Sequence, residues 1–214
     1  MKSLVTGGAG FIGSHLVERL VSLGHEVIVL DNFSIGRKSN LNKVKNKIKI
    51  VKADIAKIKN IEKFFKGVQN VFHLAALADI VPSIEEPSKY FRANVNGTLN
   101  VLECSVKNKI KRFIYSASSS CYGIPKKYPT PENSLIDPKY PYALTKRMGE
   151  ELVVHYSNVY NLNATSLRFF NVYGPRARTS GTYGAVFGVF LAQKFANKPL
   201  TVVGSGKQRR DFTY

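Results

Sequence analysis

A tyrosine and a lysine with a spacing suited to proton transfer stand in the second half of the chain. Tyr142 and Lys146 place a phenol and an amine four residues apart, and on a helix such residues project from one face. A free tyrosine has a pKa near ~10, and a neighbouring ammonium favours the phenolate, so we expect the pKa of Tyr142 to fall. Because such pairs also arise by chance, neighbouring motifs must support a catalytic role.

A cluster of hydroxyl side chains follows the predicted strand Arg112-Phe113-Ile114-Tyr115. Ser116 comes first, and three consecutive serines stand at 118–120. Ligands bind outside the carboxyl ends of parallel strands, so these hydroxyls could hydrogen-bond a substrate hydroxyl or ketone. The alternative is that small polar residues only form a turn. We favour a functional role for at least one of the three consecutive serines.

A glycine-rich turn lies near the start of the chain, between a predicted strand and a predicted helix. Its glycines are Gly7, Gly10 and Gly13. Glycines in this context permit a tight turn and a close approach of the backbone to a pyrophosphate, and the helix N-terminus directs N–H groups at the phosphates. Because the turn sits in a strand-helix-strand unit, it predicts a dinucleotide site.

An acidic residue stands where a dinucleotide site needs one. Asp31 ends the second predicted strand, about 20 residues beyond the glycines, where a carboxylate accepts hydrogen bonds from the adenosine ribose. This favours NAD, because the carboxylate would repel a 2′-phosphate, although Arg37 and Lys38 leave NADP open. The oxidised nicotinamide would also favour the phenolate of Tyr142.

Predicted strands and helices alternate along most of the chain. The strands are 3–6, 26–30, 48–51, 71–74, 112–115 and 164–168, and the helices are 12–23, 58–65, 88–106 and 141–160. This alternation predicts an α/β fold, a Rossmann-type doubly wound parallel sheet. A helix over 186–196 and a strand over 200–203 predict the start of a smaller substrate-binding domain. The predicted domains are 1–170, which binds NAD, and 171–214, a partial substrate-binding domain.

The composition excludes several classes of protein. The net charge of +18 with scattered lysines indicates a solvated basic surface rather than a nucleic-acid site, because no nucleic-acid-binding motif accompanies it. His73 interrupts an apolar strand, so we expect it to be a hydrogen-bonded core residue. Asp79, Glu85 and Glu86 are interpreted as loop or helix-start charges. We predict no metal, no membrane segment and a cytoplasmic location.

Taken together, these motifs resemble the extended short-chain dehydrogenase/reductase family, and within it the NAD-dependent nucleotide-sugar epimerases and dehydratases. The similarity spans the whole chain, and relatives continue further, so the substrate domain is expected to be partial here. The matching stretches are 4–15, 30–32, 54–55, 73–76, 94–98, the serine loop, 142–146, 168–176 and 204–214.

The resemblance implies roles for individual residues. The implied catalytic residues are Tyr142, Lys146, Ser118 and Ser119. The implied cofactor-binding residues are Gly7, Gly10, Phe11, Ile12, Gly13, Asp31, Asn32, Ser34, Gly36, Asp54, Ile55, Leu74, Ala75, Ala76, Asn94, Ser116, Tyr142 and Lys146. The implied substrate-binding residues are Ser118, Ser120, Tyr142, Asn171, Val186 and Arg210, with Asn171 and Arg210 on the diphosphate, where a guanidinium fork suits the task.

The three consecutive serines separate subfamilies within the resemblance. Similar 4,6-dehydratases carry Thr-Asp-Glu there, and UDP-glucuronate decarboxylases carry Thr-Ser-Glu. The resemblance therefore implies an enzyme that inverts C4 of UDP-glucose or UDP-N-acetylglucosamine through a 4-keto intermediate. It also implies a UDP-sugar as partner and a homodimer packed through helices 88–106 and 141–160. The alternatives are a 4,6-dehydratase or UDP-glucuronate decarboxylase, and a non-catalytic dinucleotide-binding sensor or scaffold.

Overall fold

A six-stranded sheet forms the centre of the first part of the chain. The computed structural model describes residues 1–177, 186–202, 204–207 and 209–214. The strands are β1 (Lys2–Thr6), β2 (Glu26–Asp31), β3 (Ile48–Lys52), β4 (Asn70–His73), β5 (Arg112–Ser118) and β6 (Ala164–Phe169), in the order β3-β2-β1-β4-β5-β6. The pairs that join β3, β2, β1, β4 and β5 are parallel. The predicted doubly wound parallel sheet is confirmed.

The α-helices of the described residues connect the strands and extend beyond them. They are α1 (Phe11–Ser22), α2 (Ile58–Ile61), α3 (Ile80–Glu85), α4 (Pro87–Phe91), α5 (Gly97–Lys107), α6 (Pro141–Tyr160) and α7 (Val186–Phe195). A π-helical segment, Arg92–Asn96, joins α4 to α5, so the long helix predicted over 88–106 contains a local widening. Such π segments are often found at functional sites.

The core explains why the strand sequences are apolar without alternation. In β1, Leu4 packs into one buried cluster and Val5 into another. In β2, Ile28 and Val29 divide between the same two clusters. Since successive side chains of a strand point to opposite faces, both faces of the sheet are covered, as expected for parallel strands.

The exposed edge of the sheet carries lysines. β3 is the first strand in the order, and its residues Lys49 and Lys52 are exposed. Charged side chains on an edge strand disfavour pairing with a strand of another molecule. This arrangement accounts for part of the basic surface that the composition predicts.

The chain divides into two compact units, Met1–Arg168 and Phe169–Tyr214. The second unit contains α7 and two short parallel strands, β7 (Asn171–Val172) and β8 (Phe212–Thr213). Its assignment to substrate binding stays a prediction.

The strand predicted over 200–203 is wrong for 200–202, which are not in a strand, and Val203 lies outside the described residues. The backbone N–H of Thr201 donates to the side chain of Gln193 at 3.1 Å, and the Gln193 amide donates back to the Thr201 hydroxyl at 2.7 Å. A side chain of α7 therefore takes the backbone hydrogen bond that a neighbouring strand would have taken.

Candidate active site

The glycine turn lies where the strand order reverses, at the carboxyl end of β1. Gly7 has a φ of +68°, and a Cβ on it would lie 2.7 Å from the backbone nitrogen of Ala75. Its N–H donates to the Leu30 carbonyl at 2.8 Å, and its own carbonyl accepts from the Gly10 N–H at 3.1 Å. Only glycine combines this φ with so close an approach of two backbone segments. The residue at the N-cap of α1 is Gly10, which has no side chain to cap the helix.

The carboxylate of Asp31 is held in place before any ligand is considered. Its Oδ2 accepts from the N–H of Ala9 at 2.9 Å, and its Oδ1 accepts from the N–H of Phe33 at 2.8 Å. Burial raises the pKa of Asp31, and the two N–H groups partly oppose that rise. Each carboxylate oxygen has further lone-pair capacity, so both remain able to accept a hydroxyl.

Ala9 also anchors the loop that follows β2. Its carbonyl accepts from the N–H of Arg37 at 3.0 Å and from the side-chain amide of Asn40 at 2.8 Å. Within that loop, the side chain of Asn32 accepts from the N–H of Ser34 at 2.9 Å. The glycine turn, the acidic residue and the following loop are therefore one connected structure.

A cleft opens over the glycine turn within the first unit. The predicted cofactor residues that line it are Gly7, Gly10, Asp31, Asn32, Ser34, Gly36, Asp54, Ile55, Leu74, Ala75 and Ala76. The predicted cofactor residues outside its lining are Phe11, Ile12, Gly13, Asn94, Ser116, Tyr142 and Lys146. The lining also includes Leu30, Ile35, Ala53, Leu77 and Ala93, which the motifs did not reveal. All five adjoin a predicted cofactor residue in the chain, so their position beside a predicted residue was the available signal.

The cleft suits a dinucleotide. The glycine turn provides a cradle that a Cβ would fill, and Asp31 lines the cleft with spare acceptor capacity. Apolar residues such as Ile55 and Leu74 complete the walls. Residues of this chemistry hold a pyrophosphate on backbone N–H groups and a ribose on a carboxylate.

The Ser118 side chain lies near the Tyr142 phenol and lowers its pKa by hydrogen bonding. Ser118 is the last residue of β5, and its Oγ lies 2.9 Å from the Oγ of Ser120 and accepts from the Ser120 N–H at 3.2 Å. Ser119 begins the short 3₁₀ helix Ser119–Tyr122 that Ser118 caps. The structure thus brings Tyr142, Ser118 and Ser120 together at the carboxyl end of the sheet.

The electrostatics of Tyr142 differ from the sequence prediction. Burial raises the pKa of the phenol above its ordinary value, Asp79 raises it further, and the hydrogen bond from Ser118 works in the opposite direction. We expected the ammonium of Lys146 to lower this pKa. In the structure, the Lys146 ammonium donates to the Ser116 carbonyl instead. The expected lowering of the Tyr142 pKa is therefore wrong for the site as the structure has it.

Lys146 is buried beneath the site, with an exposed fraction of 5%. Its Nζ donates to the carbonyl of Ser116 at 2.5 Å and lies 4.3 Å from the centre of the Tyr115 ring. Burial lowers the pKa of Lys146 to about 7, while the charge of Glu150 opposes that fall. The predicted residues Lys146 and Ser116 are therefore in direct contact.

Asn94 connects the cleft to the helix that carries Tyr142. Its side chain accepts from the N–H of Leu77 at 2.8 Å and donates to the Leu77 carbonyl at 3.0 Å. It also donates to the Thr145 hydroxyl at 3.1 Å. Asn94 lies in the π-helical segment, so that segment positions a side chain between a wall of the cleft and α6.

Glu150 was not identified from the sequence, although it is a buried carboxylate one turn beyond Lys146. It accepts from Arg147 at 3.0 Å, from Ser166 at 2.9 Å and from Arg168 at 2.9 Å, and these hydrogen bonds lower its pKa against the effect of burial. Arg168 in turn donates to the phenol of Tyr122 at 2.6 Å. This network joins α6 and β6 to the end of the serine turn.

His73 is a core residue with both ring nitrogens hydrogen-bonded, as predicted. Its Nε2 lies 2.9 Å from the hydroxyl of Thr98, and its Nδ1 lies 2.6 Å from the hydroxyl of Thr6. Because Thr98 donates to the Asn94 carbonyl at 2.6 Å, it must accept from Nε2–H, and Nδ1 accepts from Thr6. Burial lowers the pKa of His73 to about 3, so the ring is neutral.

Three predicted substrate residues lie in the second unit. The side-chain amide of Asn171 donates to the carbonyl of Asp211 at 2.9 Å, and Arg210 donates to the carbonyl of Arg209 at 2.9 Å. Val186 is the first residue of α7. Their roles towards a substrate stay predictions.

Two kinds of feature are missing from the described residues. No group of three or more histidine, cysteine or carboxylate side chains is arranged to hold a metal ion in that part of the chain. Among the same residues, no helix combines the length and apolar character needed to cross a bilayer.

A parallel sheet whose order reverses at a glycine turn, with a carboxylate at the next strand end, defines a dinucleotide-binding α/β protein. Residues 3–214 match the NAD dependent epimerase/dehydratase family, and the chain belongs to that family. Its cofactor is NAD, and the predicted membership is confirmed.

Similar proteins carry more than one activity in their names. The chain is 37% identical over 219 residues to the UDP-glucose 4-epimerase of Mycolicibacterium smegmatis, covering 100% of this chain and 69% of that protein. It is 35% identical over 222 residues to the UDP-N-acetyl-alpha-D-glucosaminuronate decarboxylase of Bacillus cytotoxicus, covering 100% and 67%.

A solved structure is similar over the same length. It is the UDP-N-acetylglucosamine 4-epimerase of Methanobrevibacter ruminantium in complex with UDP-N-acetylmuramic acid, with a TM-score of 0.95 and 36% identity. The match covers 100% of this chain and 68% of that one. The chain therefore shares its family and fold with proteins whose names carry different reactions.

Proposed function

We propose that this chain inverts C4 of a UDP-linked hexose, UDP-glucose or UDP-N-acetylglucosamine, through a transient 4-keto sugar. The observation that carries the proposal is that the Ser118 side chain, at the carboxyl end of β5, lies close enough to the Tyr142 phenol to lower its pKa by hydrogen bonding. A phenol and a hydroxyl side by side suit a reaction that removes a proton from one sugar hydroxyl and returns it.

The side chains around that pair favour epimerisation over elimination. Loss of water from the sugar requires an additional acid and base, whereas the residues at 118–120 are all serines. Ser118 and Ser120 are linked hydroxyl to hydroxyl at 2.9 Å. Hydroxyls orient a sugar oxygen without supplying the carboxylate that a dehydratase needs.

When bound, NAD would supply reversible hydride transfer at C4 of the sugar, so that no net oxidation would occur. Tyr142 accepts the proton of the 4-hydroxyl and later returns it, while Ser118 hydrogen-bonds the same oxygen. The residues that would hold the cofactor are the glycine turn, Asp31 and Lys146, with Lys146 on the ribose next to the nicotinamide.

The raised pKa of Tyr142 sets a requirement on this chemistry. A buried phenol retains its proton, so a base role needs a group that favours the phenolate. Ser118 supplies one such interaction by hydrogen bonding, and the positive charge of the oxidised nicotinamide would supply a second when NAD is bound. The two effects together oppose the cost of burying a phenolate.

Product analysis tests the proposal. We expect incubation of the chain with UDP-glucose or UDP-N-acetylglucosamine to give the C4 epimer at unchanged mass, identified by NMR. Tyr142→Phe should abolish turnover while NAD stays bound. Tyr140→Phe, at an exposed position two residues earlier, is the matched control and should turn over normally.

Two outcomes would contradict the proposal. Full turnover by Tyr142→Phe would exclude the proton-transfer role of the phenol. Loss of carbon dioxide from UDP-glucuronate, or of water from a nucleotide hexose, would instead assign the chain to the decarboxylases or dehydratases. The decarboxylase is the second candidate, because a named relative at 35% identity carries that activity in its name.

We also propose that the chain forms a homodimer through α4–α5 and α6. Large apolar side chains are exposed on these elements, among them Phe91 at 42%, Leu144 at 48% and Val154 at 50%. Exposed apolar side chains grouped on neighbouring helices are typical of protein interfaces. Light scattering of the purified chain should give twice the monomer mass, and Val154→Glu should reduce it to the monomer mass.

A further inference from the structure

A buried serine from another helix reaches the backbone of the residue that carries the candidate base. Ser83 lies in α3 and has an exposed fraction of 0%. Its Oγ donates to the carbonyl of Ile80 at 2.5 Å and accepts from the backbone N–H of Tyr142 at 3.1 Å. The Ser83 hydroxyl therefore donates a hydrogen bond within α3 and accepts one from α6.

This contact supplies what the start of α6 lacks. The first N–H groups of a helix have no partner inside the helix, and the residue before Pro141, Tyr140, provides no side-chain cap. Tyr142 is the second residue of α6, and its N–H is one of these unpaired groups. Ser83 takes the place of the missing cap from outside the helix.

The contact also joins two parts of the site. α3 follows the segment after β4, whose residues Leu74 and Leu77 line the cleft. Asn94 makes a second connection, from Leu77 to the hydroxyl of Thr145 in α6. The N-terminal part of α6 is thus fixed to the cleft side at two points, Tyr142 and Thr145, and the Ser83 contact is on the residue that carries the phenol.

We infer that Ser83 is a positioning residue, which fixes the first turn of α6 so that the Tyr142 phenol meets the reacting sugar oxygen. The inference rests on the proposed function of Tyr142. Ser83 touches neither cofactor nor substrate in this role, so its loss should lower kcat and leave KM and NAD affinity nearly unchanged. Small displacements of a reacting group lower rates by about ten- to a hundredfold.

Three variants separate positioning from general destabilisation. Ser83→Ala removes the acceptor, and Ser83→Cys keeps the approximate volume while offering only a weak acceptor. The matched control is Ser105→Ala, because Ser105 is equally buried at 0% and its hydroxyl donates within its own helix, to Val101 at 2.7 Å. All variants are studied as the NAD-loaded full chain.

Two measurements test the inference. The first is hydrogen exchange at the Tyr142 amide, which should be faster in Ser83→Ala and Ser83→Cys and unchanged in Ser105→Ala. The second is steady-state turnover, in which kcat should fall about tenfold or more in both Ser83 variants, with KM within about twofold of wild type. The control should keep the wild-type kcat.

The outcomes are distinguishable from those of the proposed function. Wild-type chain without epimerase activity would refute the proposed function, while the exchange of the Tyr142 amide would still report on the Ser83 contact. Unchanged exchange in Ser83→Ala would overturn the inference. So would a wild-type kcat in Ser83→Cys, or an equal fall of kcat in Ser105→Ala, since either result would assign the effect to packing.

Discussion

Replacement of Gly149 by alanine tests the packing under the site. Gly149 lies in the middle of α6, where a Cβ would stand 2.3 Å from the Tyr115 phenol oxygen and 3.1 Å from the adjacent ring carbon. The Tyr115 ring has little room to move, because its exposed fraction is 1%. The Nζ of Lys146 also lies 4.3 Å from the centre of the ring. Helix propensity and packing therefore act in opposite directions at this position.

The two opposing effects have different magnitudes. Glycine to alanine in a helix interior gains about 1 kcal/mol, whereas forcing extra volume into a packed core costs about 1–3 kcal/mol. The contact with the Tyr115 oxygen is far inside van der Waals distance, so we place the cost near its upper limit. Gly149→Ala should thus destabilise the chain by about 1–2 kcal/mol.

Tyr115→Phe provides the second arm of a double-mutant cycle. Removing the phenol oxygen leaves the ring carbon at 3.1 Å as the nearest atom to the new methyl group. The double variant Gly149→Ala/Tyr115→Phe should be more stable than the sum of the single changes predicts, by about 1 kcal/mol or more. Urea unfolding followed by far-ultraviolet circular dichroism measures all four proteins. A Gly149→Ala chain as stable as wild type, or strictly additive changes, would refute the reasoning.

Three further predictions concern the cleft, the buried lysine and the buried histidine. Gly7→Ala and Gly24→Ala both place alanine at positive φ, but a Cβ at Gly24 meets nothing within 4 Å; calorimetry should find NAD binding lost only in Gly7→Ala. Burial lowers the pKa of Lys146 from 10.5 to about 7. Between these two pH values, Lys146 is therefore protonated in the unfolded chain and neutral in the folded chain. Stability should rise from pH 7 towards pH 10 more steeply in wild type than in Lys146→Met, and parallel curves would contradict this. Thr98→Val should cost about 1–3 kcal/mol in urea unfolding, because the Nε2–H of His73 loses its acceptor; an unchanged midpoint would contradict the assigned tautomer.

The sequence was sufficient to predict the sheet, the glycine turn and the helix that carries the candidate base. The helix predicted over 141–160 has the bounds Pro141–Tyr160 in the structure, because proline favours a first helical position and the apolar spacing continues to its end. The glycine turn was predictable because its glycines stand between a strand and a helix.

Features that depend on tertiary contacts were not predictable. α3 is only six residues long and contains Pro82, so its local sequence does not favour a helix. The π-helical segment around Asn94 changes the hydrogen-bonding pattern without altering the apolar spacing enough to be recognised. The strand predicted over 112–115 was too short, because polar residues such as Ser116 and Ser118 continue β5.

The charge states of the candidate catalytic residues Tyr142 and Lys146 also depend on the fold. From the sequence, Lys146 and Tyr142 are neighbours on one helical face, and a direct effect of the ammonium on the phenol was the natural expectation. The ammonium instead meets the carbonyl of Ser116, far away in the chain. Burial then dominates the pKa of both groups, and burial is a property of the whole packed unit.

The attachment of Asp31 to the glycine turn through Ala9 has a thermodynamic consequence. Because both carboxylate oxygens are oriented by backbone N–H groups, an adenosine ribose bound there would meet an acceptor whose rotational entropy was already lost when the chain folded. Asn40 holds the same Ala9 from the loop beyond. A substitution at Asn40, outside the lining of the cleft, would therefore weaken nucleotide binding through a larger entropic penalty rather than through a lost contact.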